Sequence, residues 1–579
     1  MVTQLYPGNG LTLPQLVFAL NEELKCTVYA PSYVAEDHRL SRNDMYTDSL
    51  FSFTSDQVSQ LDQDTSIALA TIREWRNSFI PINRIPFDVF SLIPTHLSSQ
   101  KDRLHVSSVC RHWRRTFLRR AELWSKLFLS NGEDYVKTFL ERAKGSELDI
   151  IIDRDVPVHT MALLSSNTRQ MRSLDFLCAN WMDIQKFSQV NSEPLPLLHT
   201  LTIDTAYPDS FDGTTPQHLF SNAVNLRMLR FYSRSRSSPS FLRFDFPNLV
   251  SFEFSAKPSL NQEFRAPRLL DFLEASPTLR TVFVTIIGHI SFQDFSRERI
   301  ITLPNVEDFS LITSDGGHGY ELAAHISCPS ARLASLVHKR TDAYAVPEEA
   351  SIFPSPTLWK AIVRQYTRSP VEEVKIELKV TAAIFCQLAF RSGDGTLIEL
   401  CFKGVKENED GFYLPSQEMQ NKVLAQSTTT VQNHPHLANL KCLWVRHSFD
   451  SVCFPEESHV ANEIGRLFKS LGPLDELTIH HCDLRPYCRS IFNFLGDRAD
   501  ESVVFPPTKQ LVISHPTYLS DEYCKVLIMG LAESQHARGI PFERVIIRRE
   551  SMSEEIEEEL RPWVGSVEYC YELCESDDD

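Results

Sequence analysis

The spacing of apolar residues changes character twice along the chain. Before residue 80, Val58, Leu61, Ile67, Leu69, Ile72 and Trp75 recur at helical intervals, so residues 1–80 read as a partly helical region to which no function attaches. Between 81 and 130 the intervals shorten into three small helices. In PINRIPFDVFSLIPTHLSS, Pro86 opens the first, where a missing N–H costs nothing, and Val89, Phe90, Ile93 and Leu97 follow on one face. Val106, Cys110, Trp113 and Phe117 mark the second, and Leu123, Trp124, Leu127 and Phe128 the third.

A helix ending near Gly145 and the strand LDIII then lead into a recurring triplet of apolar residues at i, i+3 and i+5. It fits Met171-Leu174-Phe176, Leu198-Leu201-Ile203, Leu226-Leu229-Phe231, Leu249-Phe252-Phe254, Leu279-Val282-Val284 and Val306-Phe309-Leu311. Alone the triplet is weak, because 42% apolar content produces it by chance at roughly 7% of positions. A proline two residues before the triplet is far more selective. It occurs at Pro196, Pro247, Pro277, Pro304 and Pro329, where about 0.5 such matches are expected by chance. Looser copies follow at Val371-Val374-Ile376, Leu397-Leu400-Phe402, Leu440-Leu443-Val445, Leu474-Leu477-Ile479, Thr508-Leu511-Ile513 and Phe542-Val545-Ile547.

A period of this length carrying LxxLxL on a strand resembles the leucine-rich repeat, and LDELTIHHCDL, with Cys482 at the Asn/Cys position, is its best copy. The resemblance implies an α+β or α/β repeat over 131–550, an irregular solenoid of parallel strands. Side chains alternate along a strand. Leu201 and Ile203 therefore point inward, while Arg230, Tyr232, Glu253, Phe283, Thr285, Ile312, Trp444, Arg446 and His480 line a concave face suited to capturing a target protein. A competing frame, Leu437-Leu440-Cys442, would instead turn Trp444 into the core.

The three helices of 81–130 carry a second resemblance. The run Ile85-Pro86, Asp88-Val89-Phe90, Ile93, then Asp102-Arg103-Leu104, Ser108-Val109-Cys110-Arg111, Trp113 and Leu123-Trp124 resembles the F-box, a motif of ubiquitin-ligase adaptors. Ile85 stands where the family usually has leucine and Asp88 where glutamate is usual. The resemblance implies docking of a Skp-type linker subunit, and through it a cullin, by Ile85, Pro86, Val89, Ile93 and Leu97. Leu104, Val109, Cys110, Trp113 and Trp124 would be shared between the motif's interior and the linker. Three helices of this size lack the area for an independent core, so a partner and the rest of the chain are expected to cover them.

Composition narrows the function. With 58 Lys plus Arg against 75 Asp plus Glu, the net charge of −17 opposes attraction to phosphate backbones, so nucleic acid is not an expected partner. Arg111, Arg114, Arg115, Arg119 and Arg120 then read as a solvated helix face. Five arginines between 227 and 243 in RMLRFYSRSRSSPSFLRFD read as a solvated loop. Residues 551–579 hold eleven acidic side chains and one arginine, and read as a solvated acidic tail. No apolar run approaches the ~18 residues of a membrane span. Thirteen scattered cysteines without a leader pattern read as reduced thiols of a cytoplasmic or nuclear protein. No phosphate loop, nucleophile elbow or HExxH is present. His480 and His481 face opposite ways, so they do not converge with Cys482 and Cys488 on a metal. The expectation is a non-enzymatic adaptor without metal or cofactor, the alternative a scaffold that binds the linker without ligase activity.

Overall fold

The computed structural model describes residues 55–570 apart from several segments, the longest being 206–222, 234–245, 341–352, 406–416, 450–462 and 482–505. Shorter ones at 87–88, 90–91, 93–95 and 97–99 fall among the small helices, and Ile93 and Leu97 therefore lie outside the described residues. The chain divides into two compact units, Met1–Ser125 with Thr138–Ser146, and Lys126–Lys137 with Glu147–Asp579.

The first unit is helical. Ser55–Ser78 forms one long helix, as the spacing from Val58 to Trp75 predicts, followed by a 3-10 turn Pro81–Arg84 and helices Gln100–Ser107 and Arg111–Leu118. A 3-10 turn Ala121–Trp124 takes the place of the third predicted helix.

The second unit is built on strands β1 (Lys126–Phe128), β2 (Leu148–Ile152), β3 (Met171–Ala179), β4 (Thr200–Thr205), β5 (Met228–Ser233), β6 (Ser251–Ala256), β7 (Glu263–Arg265), β8 (Thr281–Ile286), β9 (His289–Ser291), β10 (Ile301–Thr302) and β11 (Asp308–Thr313). They continue as β12 (Ile326–Ser327), β13 (Leu333–Arg340), β14 (Val371–Val380), β15 (Ala383–Ser392), β16 (Leu397–Val405), β17 (Cys442–Phe449), β18 (Leu474–His481), β19 (Thr508–Ser514), β20 (Arg544–Arg548) and β21 (Ser566–Cys570). Seventeen of these join one sheet, while β7 pairs with β9 and β10 with β12. From β1 through β6, then β8, β11 and β13, each strand lies parallel to the next in chain order.

Register is kept across the sheet, so two buried rows run through it. One holds Leu174, Leu201, Leu229, Phe252, Val282, Phe309 and Ala334, the other Phe176, Ile203, Phe231, Phe254, Val284, Leu311 and Leu336, and none of these is more than 3% exposed. Helices pack on that face: Phe272 of helix Ala266–Glu274 sits 4.6 Å from Phe252, and Tyr366 of helix Pro356–Tyr366 sits 5.5 Å from Phe309. The architecture is a mixed α/β repeat on a large, mostly parallel sheet.

The recurring proline has a local cause. At Pro196, Pro247, Pro277, Pro304 and Pro329 the residue before proline accepts a hydrogen bond from the residue three further on, for example Leu249 N–H to Phe246 C=O. Proline thus stands second in a four-residue turn, where its fixed φ is pre-set. The polar residue that follows proline in four of these turns, and that follows Val224 in the turn before β5, adds a ladder. Asn225 donates to the carbonyl of Pro196, Asn248 to Val224, Thr278 to Pro247, Asn305 to Pro277 and Ser330 to Pro304, at 2.6–3.0 Å. Each turn is fastened to the one before it.

Two departures from the expected pattern follow from the pairing. The parallel series is interrupted by an antiparallel set: β13 pairs with β16, β16 with β15, β15 with β14, and β14 then resumes parallel pairing with β17. The copy read at Leu397-Leu400-Phe402 is out of step, because Ile398 and Leu400 align with Ala334 and Leu336. The series also runs past residue 550. Helix Glu554–Leu560 and β21, parallel to β20, draw 554–570 into the sheet because Val545 and Ile547 meet Val567 and Tyr569. Of the acidic segment only 571–579 and 551–553 lie outside the described residues.

Phe252→Ala should lower stability by about 3–5 kcal/mol and Asn305→Ala by about 1 kcal/mol, whereas Phe283→Ala, from the open face, should change it by no more than about 0.5 kcal/mol. Urea unfolding followed by circular dichroism reads all three.

Candidate functional site

In the helical unit, Ile85 precedes Pro86 and is accordingly extended, at φ −60° and ψ 135°, which ends the 3-10 turn there. Helix Arg111–Leu118 begins after extended Cys110 and buries Trp113, Thr116 and Phe117, a stripe at i, i+3 and i+4. Trp113 and Phe117 stack at 6.4 Å. The Trp113 indole N–H donates to the Asn83 side-chain oxygen, and the Asn83 amide donates to the carbonyl of Asn77 at 2.7 Å. One asparagine therefore fastens the end of the long helix and the 3-10 turn to the buried tryptophan. Its only sequence signal is its place between two helices.

Trp124 is held in another corner of the unit. Its N–H donates to Phe117 C=O at 3.0 Å, Phe139 meets its ring edge-on at 5.0 Å, and the Arg142 guanidinium lies 4.5 Å from the ring centre. At 9% and 2% exposure, Trp113 and Trp124 are taken up by the unit's own interior. The arginine face is also partly engaged within the chain, since Arg115 and Arg111 lie 3.0 Å and 3.9 Å from Glu74 of the long helix.

Apolar surface remains open. Val89 is 54% exposed, Val109 62% and Leu104 36%, with Pro86 exposed and Ile85 and Cys110 half-buried. Leu61, Ile67, Leu69, Trp75, Phe79, Ile80, Ile82 and Leu92 add to them, so eleven of the eighteen exposed large apolar side chains among the described residues belong to this unit. A cleft of about 370 Å³ opens between the long helix and Val109–His112. Such a concentration of uncovered apolar side chains marks an interaction surface.

Residues 82–130 match the family model described as F-box-like. The chain carries an F-box-like domain. The match spans Ile85, Pro86, Val89, Ile93, Leu97, Leu104, Val109, Cys110, Trp113 and Trp124, and an F-box-like domain is a protein–protein interaction element. No curated protein matches the chain.

The second surface is the face of the sheet opposite the buried rows. Register places Arg230, Glu253 and Phe283 in one row across β5, β6 and β8, and Tyr232, Thr285 and Ile312 in the next. Arg230 Nε lies 3.3 Å from Glu253. The phenol of Tyr232 is pushed up to about 12 by burial, with its hydrogen bond to Glu253 and that carboxylate's charge adding to the effect. Phe283 is 44% exposed, while Arg230, Tyr232 and Ile312 are half-buried.

Trp444 settles its own frame: Leu443 and Val445 are buried and Trp444 faces out, half-buried, in register with Lys375 and Thr478. Arg446 stands opposite His480 in the neighbouring register position. This group is not beside Phe283. Six strand steps separate β8 from β17, about 29 Å at about 4.8 Å per step, so the sequence-predicted face consists of two patches with the antiparallel insertion between them. Near the second patch, burial, with Glu476 and Glu373 adding, pushes the Cys442 thiol up to about 11, a protonated and weakly nucleophilic state at neutral pH. Among the described residues no group of three or more His, Cys, Asp or Glu is placed to hold a metal ion, and no helix is long and apolar enough to cross a membrane.

Asn83→Ala should cost about 1–3 kcal/mol by removing the acceptor of the Trp113 N–H bond, and Glu74→Ala less than about 1 kcal/mol because its ion pairs are exposed. Hydrogen exchange at residues 111–118 should accelerate in the first variant and barely change in the second.

Proposed function

We propose that the chain is the substrate-recognition adaptor of a Skp-cullin-F-box type ubiquitin ligase, working in the cytoplasm or nucleus. The F-box-like domain docks the Skp-type linker, and the strand repeat, an irregular solenoid of leucine-rich type, captures the target on its open face. The observation that carries this reading is the uncovered apolar set at Val89, Leu104 and Val109 inside the matched segment. Isolated exposed apolar residues are ordinary, but three within one matched docking motif are what a linker would bury.

In this reading the chain performs no bond chemistry of its own. It brings a target into reach of the ligase's catalytic partners, so its contribution is raised effective concentration and orientation. The solvent-facing position of Phe283, two strands from Arg230 in the same row, supports the open face as the capture surface, since aromatic and arginine side chains dominate interface energetics.

Val89→Asp combined with Val109→Asp should abolish co-purification of linker and cullin, and because both side chains are already exposed the unfolding midpoint should stay unchanged. Phe283→Ala with Arg230→Ala should leave both subunits bound and lose the target. Linker recovered without cullin from the unaltered chain would identify a scaffold instead of a ligase adaptor.

A further inference from the structure

On the β3 side of Phe283 the open face carries carboxylates on neighbouring strands. Asp175, Asp204 and Glu253 occupy outward positions there, facing Arg230 on β5, exposed Lys257 just past β6, and Arg172, which is paired with Asp149 of β2. Glu253 is already held by Arg230 and by the Tyr232 hydroxyl. Asp175 and Asp204 are half-buried and have no ion pair among the described residues. They sit on adjacent strands, Asp175 in register with Thr202 and Asp204 two residues beyond it, about 8 Å apart by strand spacing and rise.

Two carboxylates without an ion pair among the described residues, next to a tyrosine, make a seat for a cation. Asp204 stands in register with Tyr232, so a cationic head placed there meets a carboxylate beside an aromatic side chain. Phe283 lies three strand steps from Asp204 and four from Asp175, about 14–19 Å away. An extended chain covers that distance in about four to six residues.

We propose that this face binds an extended basic segment of the target, with a lysine or arginine seated between Asp175 and Asp204 and an apolar side chain four to six residues away packed on Phe283. The proposal rests on reading the open face as the capture surface. The chain's net charge of −17 favours the encounter at long range, and the carboxylate pair adds a local, register-specific preference. An acidic or phosphorylated segment is excluded from this patch by the same charges.

Selection of short random peptides displayed against the purified full-length chain tests it, followed by affinity measurement of an enriched peptide at low and high salt. Enriched peptides should carry Lys or Arg four to six residues from Leu, Ile or Phe, and raised salt should weaken binding. Asp175→Lys with Asp204→Lys should weaken the enriched peptide at least about tenfold, as should Phe283→Ala. Enriched peptides without a basic bias, or binding that is indifferent to the charge reversal, overturn the proposal. If Phe283→Ala weakens binding and the charge reversal does not, only the basic-partner inference falls. If Phe283→Ala also has no effect on any enriched peptide, the open face is not the capture surface and the reading it rests on falls with it.

Discussion

The structure depends on one constraint: neighbouring strands keep register, so the apolar alternation of each strand continues into the next. Once Leu201 and Ile203 face inward, pairing commits Leu229 and Phe231, then Phe252 and Phe254, to the same side. A slip of one residue anywhere would carry a pair of buried side chains into water, each costing about 1.5–3 kcal/mol. The composition of the open face is therefore a consequence of the buried one. Arg230, Tyr232 and Phe283 are displayed because their neighbours are hidden.

The turns make that register reproducible. Proline pre-sets the bend before each of β4, β6, β8, β11 and β13, and before β6, β8, β11 and β13 the donor after it bonds the preceding turn. One hydrogen bond of this kind contributes about 1 kcal/mol, and its repetition ties successive units at a fixed offset. The helical unit is organised differently. It fills its small interior with two tryptophans, recruits the long helix through Asn83 and Glu74, and still leaves Val89, Leu104 and Val109 in solvent.

Much of this was legible in the sequence, for physical reasons that also explain where legibility stopped. The proline-led triplets are strong signals because turn geometry and burial both constrain them, and they place the buried rows from β4 to β13. Where proline is absent, at Leu397, spacing alone put the frame out of step, and no local pattern announces that β15 pairs antiparallel between β14 and β16. Charge misled at the end of the chain. The acidic residues of 551–579 suggested a tail, but Val567 and Tyr569 suffice to add a strand whose charged neighbours face outward. In the F-box-like domain the motif was readable, whereas the burial of Trp113 and Trp124 depends on Asn83, Phe139 and Arg142, contacts distant in sequence that no periodicity encodes.

Under the proposed function, linker docking is confined to the F-box-like domain and leaves the open face of the sheet free. Hydrogen exchange of the full-length chain, with and without a recombinant Skp-type linker, measures this directly. Protection gained between residues 85 and 110, with β4, β5, β6 and β8 unchanged, is the predicted result. No protection in 85–110, or protection confined to those strands, would contradict it.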